Sequence, residues 1–288
     1  MSKPMRFEVT PLAYFASLVA DDEGFALFEA AVSIAQDEYP QLDPQAVLAE
    51  VDALAERLRR RLPADAPPLQ RLRLLNRYFF HELGFAGNLN DYYDARNSYV
   101  NDVLARRRGI PITLAVLYVE LATQVGLVAR GVSFPGHFLV KLRLPRGEVI
   151  IDPFSGRSLS REELDERLAP YRRQHGLVGD DEVPLGLFLQ AAPPREVVAR
   201  MLRNLKEIHR TAEDWPRLLA VQQRLVVLLP QAWEERRDRA LVLAELGRHS
   251  EAADDLEIYL RQRARADDAT ALRERLLELR RLGQPRLH

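Results

Sequence analysis

His137 and Asp152 are the residues whose types and spacing could do chemistry in this chain. A histidine held by a carboxylate is the base half of a nucleophilic triad. The acid fixes the ring's tautomer, and the ring takes a proton from a thiol or hydroxyl. The thiol version is closed to this protein, because its 288 residues include no cysteine. The same absence excludes disulfides and thiolate metal sites. The chemical question is what third group, if any, faces the pair.

The elements around the pair must bring it together. After Gly126 the hydrophobic period changes from helical to alternating. Val128, Arg130, Val132 and Phe134 are expected to share one face of a strand. Residues 137–143 form a second strand and 148–152 a third. Leu144-Pro145-Arg146-Gly147 suits a hairpin on a type I turn, with Pro second and Gly fourth. That turn pairs Arg143 with Glu148, and counting back sets Asp152 opposite Leu139. His137 shares the face of Leu139, so the two become diagonal neighbours, roughly 7–8 Å apart at the backbone and within side-chain reach. A three-residue loop without a bulge would put them on opposite faces.

Upstream, Pro111 opens a helix at a favourable first-turn position. Ile112, Leu114, Ala115, Val116, Leu117, Tyr118 and Val119 make that helix apolar nearly all round, as suits the middle of a domain. Thr113, Glu120 and Gln124 fall on one narrow stripe. Before it, Asn97 or Ser98 is expected to cap a short helix that Gly109 closes. Residues 1–85 read as helical. Asp21 or Asp22 caps one helix through Phe25 and Phe28, Asp43-Pro44 starts the next, and Leu69, Leu72, Leu75, Tyr78 and Phe79 mark a third. A polar, aromatic loop, 87–94, follows.

The order Gly109-x-Pro111, Ala115, Ala122-x-x-x-Gly126-Leu127-x-Ala129-Arg130-x-Val132, His137 and Asp152-Pro153 is similar to the transglutaminase-like core. Aligned without gaps, that family's nucleophilic Cys falls on Pro111. The fuller string includes Asn97-Ser98, Arg107-Arg108-Gly109-Ile110-Pro111-Ile112, Phe134-Pro135-Gly136-His137-Phe138 and Ile151-Asp152-Pro153-Phe154. With the helices that follow, it resembles the bacterial SirB family, over residues 83–159 and 204–260. The resemblance implies an α+β, transglutaminase-like (papain-like) domain with N-terminal helices and a small antiparallel sheet, then a tetratricopeptide-like helical module. It supplies no substrate.

The repeat is also visible directly. Residues 214–219 align with 248–253, Leu225 with Tyr259 and His209 with Leu243, at the tetratricopeptide spacing of 34. Ala240, Leu243, Leu246-Gly247, Ala252-Ala253, Leu256 and Tyr259 sit where helix–turn–helix packing needs small or apolar residues. The first copy lacks the usual Gly. Two repeats and a capping helix over residues 269–282 follow. Pro193-Pro194 is the expected border, giving domains 1–192 and 193–288.

Proline offers neither a side-chain nucleophile nor an N–H. Three readings of His137–Asp152 then stand. The pair is a structural tie between strands, or the frame of a ligand pocket with Asn90, Tyr92, Tyr93, Asn97 and Thr113 as further candidates. Alternatively it serves a hydrolase or acyl-transferase with a Ser or Thr nucleophile, for which Thr113, Ser98 and Ser133 are nearest in sequence. The first two make the chain a pseudoenzyme whose repeats, residues 195–288, bind a protein or peptide.

No metal or cofactor is expected. His81-Glu82 lacks a second His, and His175, His209, His249 and His288 show no ligand spacing and read as surface residues. Arg106-Arg107-Arg108 reads as helix-end charge, and Arg236-Arg237-Asp238-Arg239 as a solvated helix face. A net charge of −1 and pI near 6.6 give no global field for nucleic acid or anionic membrane. The apolar run 11–20 follows Lys3 and Arg6, but Glu8 and Asp21-Asp22-Glu23 make it a core helix rather than a leader. A cytoplasmic protein is expected, with its oligomeric state open.

Overall fold

A computed structural model describes residues 9–22, 24–177, 179 and 183–284. Lys3, Arg6, Glu8, Glu23 and His288, used above in the leader and histidine readings, lie outside the described residues. The helices in order are α1 (Pro11–Leu18), α2 (Leu27–Ser33), α3 (Pro44–Arg59), α4 (Pro68–Asn76), α5 (Val100–Arg106), α6 (Pro111–Gln124), α7 (Arg161–Gln174), α8 (Leu185–Phe188), α9 (Pro194–Thr211), α10 (Trp215–Leu228), α11 (Trp233–Glu245), α12 (His249–Gln262) and α13 (Ala269–Leu282). Strands β1 (Ala86–Gly87) and β2 (Arg108–Gly109) pair in parallel. Strands β3 (Val128–Val132), β4 (Leu139–Leu144), β5 (Gly147–Asp152) and β6 (Arg157–Leu159) form an antiparallel sheet in that order. The expected α+β order, small sheet first and helical repeats after, is what the chain adopts.

The chain forms two compact units, residues 25–201 and residues 1–24 with 202–288. The expected border at Pro193-Pro194 coincides with the start of α9, a continuous helix that passes the division after Met201. Helix α1 groups with the repeat helices, where Phe15 is fully buried and the Arg224 guanidinium lies 4.9 Å over its ring.

Within 25–201, α6 is the buried axis, with Pro111 at its first turn and 111–118 buried without a break. The hairpin has the register read from its turn, Arg143 opposite Glu148 and Val140 opposite Ile151. Leu139, Val132, Phe134, Ile150 and Leu159 pack on Leu164 and Leu168 of α7. Strands β3 and β4 also lie against α6. A Ser160–Glu163 capping box fixes the start of α7.

Four local expectations change. On β3 the buried residues are Ala129 and Val132, whereas Val128 and Arg130 are exposed, so the face expected to join these two with Val132 is not buried along its length. Helix α2 begins at Leu27, too late for Asp21 or Asp22 to cap it. Helix α5 starts at Val100, with Asn97 in a preceding 3-10 turn. Arg107 (φ 58°), rather than Gly109, takes the left-handed closing position. Gly109 is needed elsewhere, since a Cβ there would crowd Val103 at 3.0 Å. The third helix gives way to a π-helical turn, Arg77–Glu82, which buries Tyr78 and Phe79.

In the second unit, α10 and α12 begin 34 residues apart, at Trp215 and His249, and α13 spans the expected capping helix. Ala240, Leu243, Ala252, Ala253, Leu256 and Tyr259 share one core. The 236–239 run is an inter-helix ion-pair layer, not a solvated face. Arg239 forks onto Asp255 at 2.6 and 2.7 Å, and Arg237 reaches Asp268 at 2.8 Å. His209 is likewise 5% exposed, not a surface residue.

Gly247 (φ 72°) has its counterpart 34 residues earlier in Glu213 (φ 53°). A non-Gly residue in that conformation costs about 1–2 kcal/mol. Gly247→Ala is therefore expected to destabilise this unit by about 1 kcal/mol, with no clash because nothing lies within 4 Å of the added Cβ. Glu213→Gly is expected to gain about 0.5 kcal/mol, after the extra freedom of the unfolded chain is subtracted. Thermal unfolding of both variants checks the pair of signs.

Candidate functional site

His137 is placed by a tight turn. Its backbone N–H donates to the Phe134 carbonyl at 3.0 Å, with Pro135 second and Gly136 at φ 68° third. That pattern is the type II turn, whose third position favours Gly. The turn leaves the ring beside the end of β5, where His137 Nε2 meets Asp152 Oδ1 at 2.8 Å. The expected contact forms, but His137 makes it from the turn before β4 and not from within a strand, because β4 begins only at Leu139.

Asp152 is nearly fully buried. Its Oδ1 also accepts the Phe154 N–H at 3.0 Å, while Oδ2 accepts the Ser155 hydroxyl at 3.0 Å and Arg167 of α7 at 3.3 Å. Burial pushes the carboxyl upward. The hydrogen bond and charge of His137, the Phe154 N–H and the Ser155 hydroxyl outweigh it and hold the group well below the usual carboxylate range. With Nε2 engaged by Asp152, Nδ1 is the ring nitrogen left to face another group.

The start of α6 is tied to this corner through two short strands. Gly109 pairs with Gly87, and Gly87 N–H donates to the Phe154 carbonyl at 2.9 Å. A Cβ on Gly87 would overlap the Phe154 ring, so only Gly lets the strand approach so closely. Ile110 N–H donates to the Asn97 carbonyl at 3.4 Å. Pro111 thus follows directly on a strand that is laced, through Gly87, to the residues after Asp152.

The other candidates separate into three groups. Asn97 is fully buried and organises the loop. Its Nδ2 donates to the carbonyls of Asp91 (2.7 Å) and Tyr92 (3.2 Å), and its Oδ1 accepts from Asn88 at 3.0 Å. Tyr92 approaches the site, its ring 6.0 Å from Phe154, which lies 6.4 Å from the His137 ring. Asn90 and Tyr93 are exposed, and Thr113 is fully buried in α6, its hydroxyl without a hydrogen-bond partner.

The hydroxyls sort in the same way. Ser98 is buried and Ser133 accepts from Arg200 at 2.7 Å. Among the described residues, no Ser or Thr hydroxyl hydrogen-bonds the His137 ring. Ser155, the nearest in the network, touches Asp152 instead.

Sequence reasoning missed Ser155, Arg167, Asn88 and Arg200. The Ser160-x-x-Glu163 capping signature marks the helix that carries Arg167. Arg200 has no local signal, because it reaches the site from another helix, donating to the His137 carbonyl at 2.9 Å. The three arginines at 106–108 are engaged structurally, by Asp94, the Phe85 ring and the Gly84 carbonyl respectively. A separate cleft of about 700 Å³, lined by Phe25, Phe28, Val116, Glu120, Phe138 and Val197 among others, does not include His137 or Asp152.

Residues 45–203 match the family model described as the transglutaminase-like superfamily, and 205–277 match that of the tetratricopeptide repeat. A UPF0162 protein of Xylella fastidiosa (strain Temecula1 / ATCC 700964) is 39% identical over 260 residues, covering 90% of this chain and 92% of its own. The chain belongs to the UPF0162 proteins of the transglutaminase-like superfamily. The UPF0162 protein of Pseudomonas aeruginosa is 32% identical over 259 residues, 90% of each chain. Mouse F-box only protein 21 is 44% identical over 72 residues, 25% of this chain and 12% of that one. No solved structure matches significantly.

Proposed function

We propose that this UPF0162 protein is a transglutaminase-like pseudoenzyme of the SirB type, a cytoplasmic scaffold. Its tetratricopeptide helices bind a protein partner, and its His137–Asp152 corner holds a ligand without turning it over. The observation that carries the proposal is Pro111, at the helix start where the resemblance puts the nucleophile, combined with the intact 2.8 Å His137–Asp152 bond. Proline can make no thioester. A hydroxyl nucleophile lacks its geometric requirement, because among the described residues no Ser or Thr hydroxyl hydrogen-bonds the His137 ring. The repeat match supports protein binding, since stacked helix pairs present extended surfaces for peptides or helices. Among the described residues, no helix is long and apolar enough to cross a membrane.

The partner claim is tested with the full-length chain carrying a photo-crosslinker at exposed repeat positions such as Leu241 and Leu277. Irradiation in cells is expected to trap one discrete protein adduct from the repeat positions. Absence of any adduct from every position tried would contradict the scaffold reading.

A further inference from the structure

The ligand chemistry of the His137 corner follows from one unbalanced charge. Arg200 is held at both terminal guanidinium nitrogens. One guanidinium nitrogen donates to Ser133 Oγ at 2.7 Å, the other to the His137 carbonyl at 2.9 Å, and the group lies 5.4 Å over the Phe138 ring. These two bonds leave further N–H donors unused. Among the described residues no carboxylate comes within ion-pair distance of Arg200. The nearby Asp152 is already matched by His137 and Arg167. The corner therefore keeps an uncompensated, partly buried cation, and burial lowers the tendency of Arg200 to hold its charge. An anion would relieve that cost.

The surroundings narrow the anion. Tyr92 is close enough for its phenol to feel the Arg200 charge, and its ring is linked through Phe154 to His137. Tyr92 is 45% exposed and its ring meets that of Tyr93, which is more exposed, giving an aromatic surface open to solvent. The N–H donors left on the guanidinium, next to aromatic rings, fit a carboxylate, which accepts charge-assisted hydrogen bonds.

We propose that Arg200 is the anchor of a carboxylate-binding site for peptides, with the flanking apolar residues of the peptide on Tyr92 and Tyr93. This rests on reading the corner as a ligand-holding frame. The carboxylate is either a peptide C-terminus or an acidic side chain.

The test titrates the full-length protein with three probes by fluorescence anisotropy. These are dye-Ala-Phe-Leu with a free C-terminus, the same peptide amidated, and amidated dye-Phe-Glu-Leu. At least one acid peptide is expected to bind at least tenfold more tightly than the plain amide, and the free C-terminus against the Glu peptide tells the two sources apart. Arg200→Gln is expected to abolish that preference and Arg200→Lys to keep part of it, with near-ultraviolet circular dichroism showing that the variants are folded. Acid and amide binding equally to the wild type would overturn the charge proposal while leaving the ligand-holding frame standing. No binding by any of the three would overturn both. The acid/amide ratio is read on the wild type, so a variant that fails to fold does not decide the matter.

Discussion

Replacing Asp152 by alanine is expected to destabilise the transglutaminase-like unit by about 3–5 kcal/mol, the usual cost of breaking a buried, hydrogen-bonded charge pair. Four donors converge on this carboxylate from three elements: the His137 turn, the Phe154–Ser155 segment and α7. Removing it leaves Arg167 and the Phe154 N–H without their acceptor. Asp152→Asn is expected to cost less, because the amide keeps one acceptor oxygen but turns an N–H toward the remaining donors. The pH dependence has a defined sign. The folded carboxyl sits below its unfolded value, so its contribution is complete above about pH 4, the ordinary Asp value. It is lost as pH falls below that point towards the folded value. Urea unfolding at pH 7, and then from pH 5 down to pH 3, should show the wild type losing stability at the acid end more steeply than Asp152→Ala.

Pro111→Cys is expected to create a reactive thiol. The new side chain would stand at the first turn of a fourteen-residue helix, where the dipole favours a thiolate, at the position the resemblance assigns to the nucleophile. Its pKa is expected to fall from the free value of about 8.5 to about 7.5 or below. His137→Ala in the same background should return much of that shift. The chain has no other cysteine, so the pH profile of iodoacetamide labelling reports this thiol alone. Loss of proline's preset φ should cost only about 0.4–1 kcal/mol. A thiol that titrates near 8.5 regardless of His137 would show that position 111 does not face the imidazole.

Much of the site was legible because its elements are local. The Leu144–Gly147 turn fixes the β4–β5 register, and that register together with the Phe134–His137 turn brings His137 to Asp152. Pro111 and the apolar α6 are equally plain, since helix-start chemistry and an all-round hydrophobic pattern are written in consecutive residues. What was hidden is tertiary. Arg167 and Arg200 reach the corner from helices separate from the hairpin, and Ser155 depends on the backbone turning after Asp152. The closing role expected of Gly109 falls to Arg107 because α5 already ends at Arg106, and Gly109 lies in β2, where a Cβ would crowd Val103. The repeat charges misled for a related reason. A run such as 236–239 looks solvated until the partner acids Asp255 and Asp268, on or beside the next helix, are brought opposite it.

A triad frame that survives without a nucleophile should form no covalent adduct through His137. Intact-mass measurement of the wild-type protein after exposure to a serine-directed fluorophosphonate tests it most directly. The account predicts no adduct that depends on His137, with wild type and His137→Ala giving the same spectrum. A stoichiometric adduct on the wild type that disappears in His137→Ala would show that a hydroxyl has taken the place of the missing thiol, and would contradict the account.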